Sequence, residues 1–263
     1  MATMVFAHAH PDDEATLTAG AMLKASAEGH RVVVIFATHG EHGESPDDLA
    51  PDETVAQRRM AEAERAAAVA GVSRVYWLGY ADSGMSGWEA NADPSSLLQA
   101  DLDEAAGRLR AIVEAEHAQV LVGYDWHGNY GHPDHIRVHQ IVRRAAERCR
   151  RGRPRLFEAT MNRDRMRQLY QQAKAAGFEE DFDPDAPMGD GNPLGTPEVE
   201  LDLQVDVRDH LAARREVMAC HASQVSDVQG MLSMPAEAFA AMFSFEHYIE
   251  VGNPGPMRRG WFF

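Results

Sequence analysis

Hydrophobic and polar positions follow two alternating periods along the first 150 residues. Met1–Ala9 is a short apolar run, and Ala15–Glu28 carries apolar residues at helical spacing up to Gly29. Arg31–Ala37 is a near-continuous β-branched run, the pattern of a strand buried on both faces. Thr54–Ala70 reads as an Ala/Glu/Arg-rich helix closed by Gly71, followed by a strand over Val72–Leu78 and a helix over Leu97–Ala115. Gln119–Gly123 predicts a fourth strand, and the helix after it runs from Pro133 to Arg150. Strands and helices in alternation imply a parallel sheet covered on both faces.

Past Arg155–Thr160, a fifth strand candidate, the periodicity weakens. Arg163–Ala176 has helical spacing, and Glu179–Pro197 is an Asp-, Gly- and Pro-rich loop. The remainder offers a strand over Glu200–Val207, a helix over Arg208–His221 and a strand over Phe245–Val251. No internal repeat or low-complexity linker divides the chain, so residues 1–263 are expected to form one domain, with an insertion or lid loop near 178–199.

Charge narrows the partners. With 41 Asp and Glu against 25 Lys and Arg, the formal net charge is −16. Such a chain repels phosphate backbones and anionic membrane surfaces. Cys149 and Cys220 stand alone, without a CxxC pair, which excludes a cysteine zinc site and fits a reducing compartment. No apolar stretch is long enough to span a bilayer, so a cytoplasmic location is expected. Phe262-Phe263 and Met231–Met242 offer either core or a self-association surface, leaving a homo-oligomer open.

Two short clusters carry the chemistry. Ala9-His10-Pro11-Asp12-Asp13-Glu14 sits where the first strand ends and the first helix begins. Pro11 suits the first helical turn, and His10 and Asp13, three apart, can aim at one point. The competing explanation is that Asp12, Asp13 and Glu14 merely favour the positive end of a helix dipole. A partner cluster decides against it: Tyr130-Gly131-His132-Pro133-Asp134-His135 follows the fourth strand. In a parallel sheet all strand carboxyl ends share one edge, where ligands bind. His135 can there join His10 and Asp13 in a His₂Asp metal site with an open position for water, leaving Asp12 beside it. His39, His42 and His127 receive no role from spacing alone.

At these residues the sequence resembles the PIG-L/LmbE-like de-N-acetylase family, whose marks are an (P/A)HPDDE-like box and an HPDH box, present as Ala9–Glu14 and His132–His135. Further matches are Thr38…Gly40-Glu41…Gly43, Arg59-x-x-Glu62, Asp82-Ser83-Gly84-Met85 and His221-Ala-Ser-Gln224. The resemblance implies a Rossmann-like three-layer α/β/α fold with a mostly parallel sheet, and zinc, with iron also suited, on His10, Asp13 and His135. It implies Asp12 as general base and His132 as the group that stabilises the oxyanion or protonates the amine. Asp134 would orient and charge His132, Tyr130 would help hold the oxyanion, and Arg59 and Asp82 would contact the sugar. The implied activity is removal of an N-acetyl group from a small GlcNAc-type substrate. Alternatives are an amidase acting on thiol S-conjugates and, from another class, a non-catalytic Rossmann-like sugar- or nucleotide-binding protein. The latter is weakened by the lack of G-x-G-x-x-G after the first strand. His8 is a departure from the family pattern, expected to be buried or to support the site from behind.

Overall fold

The computed structural model describes residues 1–150, 152–175, 177 and 183–263. β1 (Thr3–His8) leads through α1 (Asp13–Leu17) and α2 (Ala19–Ala27) to β2 (Arg31–Thr38), and α3 (Val55–Val69) leads to β3 (Arg74–Tyr80). α4 (Leu102–Ala115) precedes β4 (Val120–Tyr124), and α5 (Gly128–Gly131) and α6 (Pro133–Arg148) precede β5 (Arg155–Thr160). Then come α7 (Arg163–Ala175), β6 (Leu203–Asp206), α8 (Leu211–Ala219), α9 (Gly230–Leu232), α10 (Ala236–Phe243), β7 (Phe245–Glu250) and β8 (Arg258–Arg259).

Among the described residues, eight strands form one sheet in the order β3-β2-β1-β4-β5-β7-β6-β8. β1 through β5 are parallel, and β7 runs antiparallel to both β5 and β6. The β-branched run of β2 divides its side chains between two cores. Val32, Val34 and Phe36 join Met4, Phe6, Ala63 and Ala66 on one face. Val33 and Ile35 join Val5, Leu121 and Leu109 on the other. This is the three-layer, Rossmann-like arrangement that the alternating pattern and the resemblance implied. The chain runs outward from β1 to β3 and then returns to β4 on the opposite side of β1. The crevice at that reversal, outside the carboxyl ends of β1 and β4, is where such sheets bind ligands.

The boundaries differ from the pattern where tertiary contacts override it. The helix expected over Ala15–Glu28 breaks at Thr18, whose φ of −131° separates α1 from α2. The break frees the first amides of α2, and those of Gly20 and Ala21 donate to the Glu246 carboxylate at 2.8 and 2.9 Å. Thr18 Oγ1 meanwhile meets His8 Nε2 at 2.9 Å. His8 is thus buried beneath the site, as expected. Of the expected loop near 178–199, residues 178–182 lie outside the described residues, as does Ala176, the last residue of the helix expected before it. The rest of the loop docks on the turn after β4. Gly195 N–H donates to Asn129 O at 2.7 Å, Thr196 Oγ1 to Asp125 Oδ2 at 3.0 Å, and His127 Nε2 lies 3.1 Å from Gly195 O. No helix among the described residues is long and apolar enough to cross a membrane.

Candidate metal and catalytic site

Each box enters the crevice through its own turn. After β1, Asp12 caps α1 with a left-handed backbone (φ 100°), and Asp13 is the first helical residue. Pro11 therefore stands one residue before the cap rather than inside the first turn. After β4, His132 caps α6, Pro133 takes the first helical position, and the His132 ring turns back so that Nδ1 accepts Asp134 N–H at 3.1 Å. Gly128 (φ +65°) packs under His135: a Cβ there would lie 2.4 Å from His135 Cβ. The turn thus requires glycine to seat that histidine.

The structure brings His10, Asp13 and His135 together. Asp13 Oδ2 is 3.4 Å from His10 Nδ1, and Asp13 Oδ1 is 3.2 Å from His135 Nε2. Ring nitrogens of His10, His132 and His135 also lie within 4.8 Å of one another. Tyr124, at the end of β4, steadies this group: its hydroxyl donates to Asp13 Oδ2 at 2.7 Å and accepts Ala9 N–H at 2.9 Å. Sequence reasoning missed Tyr124, though its place at a strand's carboxyl end beside the boxes was the available signal.

The histidine contacts fix which nitrogens face inward. His135 Nδ1 donates to Gly128 O at 3.1 Å, leaving the Nε2 lone pair free. That buried Nε2 has no hydrogen-bond partner among the described residues. His10 Nε2 meets Asp134 Oδ2 at 3.1 Å and turns Nδ1 toward Asp13. Two histidines, each held through the second nitrogen, with a carboxylate between them, are what metal-ligating histidines show. Electrostatics agrees. Burial alone would lower His10, but Asp82, Asp13 and Asp134 raise its pKa well above the usual imidazole value. Burial alone would raise Asp13, yet His135 and His10 hold it well below the carboxylate range. The pocket is prepared for positive charge, which a cation can supply in exchange for protons.

The contacts of several of these residues differ from those expected. Asp134 was expected to orient and charge His132, but its carboxylate binds His10 Nε2 and accepts Ser83 N–H at 2.9 Å. Residues two apart at a helix start do not face one another, and only the Asp134 backbone reaches the His132 ring. His132 is consequently not held charged: burial, then the neighbouring His10 and His135, push its pKa down to about 2. Arg59, expected to contact a sugar, is 4% exposed. It spends its guanidinium on Gly40 O at 2.7 Å, Pro11 O at 2.5 Å and Asp12 Oδ2 at 3.0 Å. Asp82 is likewise enclosed, accepting Gly84 N–H and His42 N–H at 2.8 and 3.2 Å and lying 3.5 Å from His10 Nε2. Tyr130 is partly exposed, its ring centroid 4.9 Å from that of His135. Burial raises the Asp12 carboxyl to about 6, with Arg59 opposing and Asp13 adding to the rise.

Residues 5–146 match the sequence model of the PIG-L family, described as GlcNAc-PI de-N-acetylase. The chain is 34% identical to the 1D-myo-inositol 2-acetamido-2-deoxy-alpha-D-glucopyranoside deacetylase of Nocardiopsis dassonvillei, over 95% of this chain and 94% of that protein. Its fold is similar to that of the N,N'-diacetylchitobiose deacetylase of Pyrococcus horikoshii, with a TM-score of 0.60, 19% identity, and 97% and 84% of the two chains covered. It is also similar to GalB, the 4-carboxy-2-hydroxymuconate hydratase of Pseudomonas putida KT2440, with a TM-score of 0.56, 15% identity, and 96% and 97% covered. The fold by itself therefore does not choose the reaction.

Proposed function

We propose, from the premise that this chain belongs to the PIG-L family of GlcNAc-PI de-N-acetylases, that it hydrolyses the N-acetyl amide of a GlcNAc-type amino sugar with zinc on His10, Asp13 and His135. The observation that carries the reading is the inward pair of imidazole nitrogens, His10 Nδ1 and His135 Nε2, each facing an Asp13 oxygen while its other nitrogen is engaged. His10, Asp13 and His135 would hold zinc (iron suits the same donors), which would supply Lewis acidity toward the amide carbonyl and lower the pKa of water toward about 7.

The chain's own groups do the rest. Asp12, with its pKa raised to about 6, is ionised at neutral pH yet close enough to it to take up a proton from water and return it to the leaving amine. His132 acts as a neutral donor. Its Nδ1 accepts from the Asp134 backbone, so the ring proton sits on Nε2, available to the oxygen that becomes negative. The Tyr130 hydroxyl supplies a second donor from the rim. Asp82, enclosed beside His10 and held by the Gly84 and His42 amides, keeps a negative charge next to that imidazole.

The test is release of free amine and acetate from GlcNAc and from its inositol glycoside, with a bulky cysteinyl amide as the competing substrate. The glycosides should be turned over, and Asp12→Ala should retain metal while losing turnover. Faster cleavage of the cysteinyl amide, or full turnover by Asp12→Ala, would refute the substrate class or the base respectively.

A further inference from the structure

Asp12 holds an unfavourable backbone. Among the described residues only Asp12, His117 and Asn129 are non-glycines at positive φ. A residue with a Cβ tolerates such a conformation only where its surroundings over-determine it, and such strain gathers at functional sites. The surroundings of Asp12 do so from every side. Its N–H donates to Glu14 Oε2 at 2.9 Å. Its carbonyl accepts the amides of Ala15 and Thr16 at 3.0 and 3.1 Å. The Arg59 guanidinium pairs with its carboxylate and also holds the preceding carbonyl of Pro11.

The Glu14 end of this clamp reaches far along the chain. Glu14 Oε1 lies 2.6 Å from Nε2 of His221, and the two residues are 2% and 0% exposed. A glutamate kept only for the helix dipole would stay in water, because burying an ion pair costs desolvation that must be offset by good geometry. Arg59 is roofed in the same manner. A Cβ on Gly40 or Gly43 would come within 2.4 or 2.2 Å of its Nη1, and on Gly43 within 2.5 Å of Gln224 Oε1. The segment 221–224 thus closes over α1 and α3 from beyond the residues 5–146 matched by the family.

We propose that Glu14 and His221, together with Arg59, are positioning residues that lock Asp12 in its left-handed turn and so aim the carboxylate that takes up the water proton. The proposal rests on Asp12 as the base of the reaction proposed above. None of the three needs to touch substrate.

A kinetic cycle tests it. Glu14→Ala and His221→Ala should each lower kcat at least tenfold, with KM and bound metal unchanged. In an Asp12→Ala background the same changes should lower the residual rate less than twofold, since groups acting through one residue do not add. Glu14→Gln should recover most of the turnover lost in Glu14→Ala. Its amide oxygen can accept Asp12 N–H while its NH₂ donates to His221 Nε2, whose proton can move to Nδ1, a buried atom without a partner among the described residues. A merely structural contact would lower the rate equally in both backgrounds, and that result overturns the proposal. So does wild-type kcat in both single variants, or no recovery by glutamine. If Asp12→Ala alone keeps full turnover, the base assignment itself has failed. If it is inactive while both single variants stay active, only the positioning claim falls.

Discussion

Asp134→Asn separates two ways of using one carboxylate. Asp134 is fully buried and accepts from His10 Nε2 at 3.1 Å and from Ser83 N–H at 2.9 Å. Both donors meet the same oxygen, Oδ2, so an asparagine that places its single oxygen there keeps both contacts but removes the negative charge beside His10. The neutral amide no longer raises the basicity of the His10 imidazole, which makes that ring a weaker donor to a metal. Outer partners of metal-binding histidines are worth about 10–100-fold in metal affinity, or about 1.4–2.8 kcal/mol at about 1.4 per tenfold. Competition against a chelator of known affinity should show zinc bound that much more weakly. Turnover at saturating zinc should fall less than affinity does. Unchanged zinc affinity with turnover lost would mean that the carboxylate acts on His132 after all, and would refute the assignment made from these contacts.

Two predictions concern stability. Arg214 is 1% exposed, pairs with Glu246 Oε1 at 2.8 Å and holds Ala15 O at 3.2 Å. Arg214→Ala strands a buried carboxylate and should cost about 3–5 kcal/mol, read as a lower urea midpoint; a midpoint within error of wild type would show that the pair is not needed. His247 is lowered to about 4, chiefly by burial and then by Arg165, and its Nε2 faces Gln204 Nε2 at 3.0 Å. The unfolded chain binds this proton first, so the contribution of neutral His247 is present above pH 6.5 and is lost as pH falls toward 4. Its full span is about 3 kcal/mol. His247→Gln should flatten the acid limb of the pH–Tm curve, and an unaltered limb would exclude His247 as its source.

The strands were readable because a run such as Val32–Ala37 can be buried only in the middle of a covered sheet. The crevice was readable because both His-Pro-Asp turns follow strands, and parallel strands share a carboxyl edge. What escaped depends on partners far along the chain. Nothing local announces that Ala15–Glu28 must break at Thr18; the reason is the Glu246 carboxylate waiting for the amides of Gly20 and Ala21. Asp134 was matched with His132 by nearness in sequence, whereas helix geometry turns its side chain toward His10. Arg59 carries the same residue type whether it is free to meet a ligand or tied up within the protein, and only the structure shows its burial against Asp12 and Pro11.

The place of β7 has a consequence for how the molecule comes together. It is inserted between β5 and β6, so the centre of that half of the sheet is filled by a late-synthesised segment, in the manner of a keystone. A nascent chain that has not yet delivered Phe245–Glu250 leaves the rim of β5 bare, a template for intermolecular pairing. It also lacks Glu246, and with it the acceptor for α2 and the counter-charge of Arg214. Completion of the catalytic half therefore waits on an arch stone from the other end of the polypeptide, and a prematurely stopped product is expected to aggregate rather than to survive as a smaller enzyme.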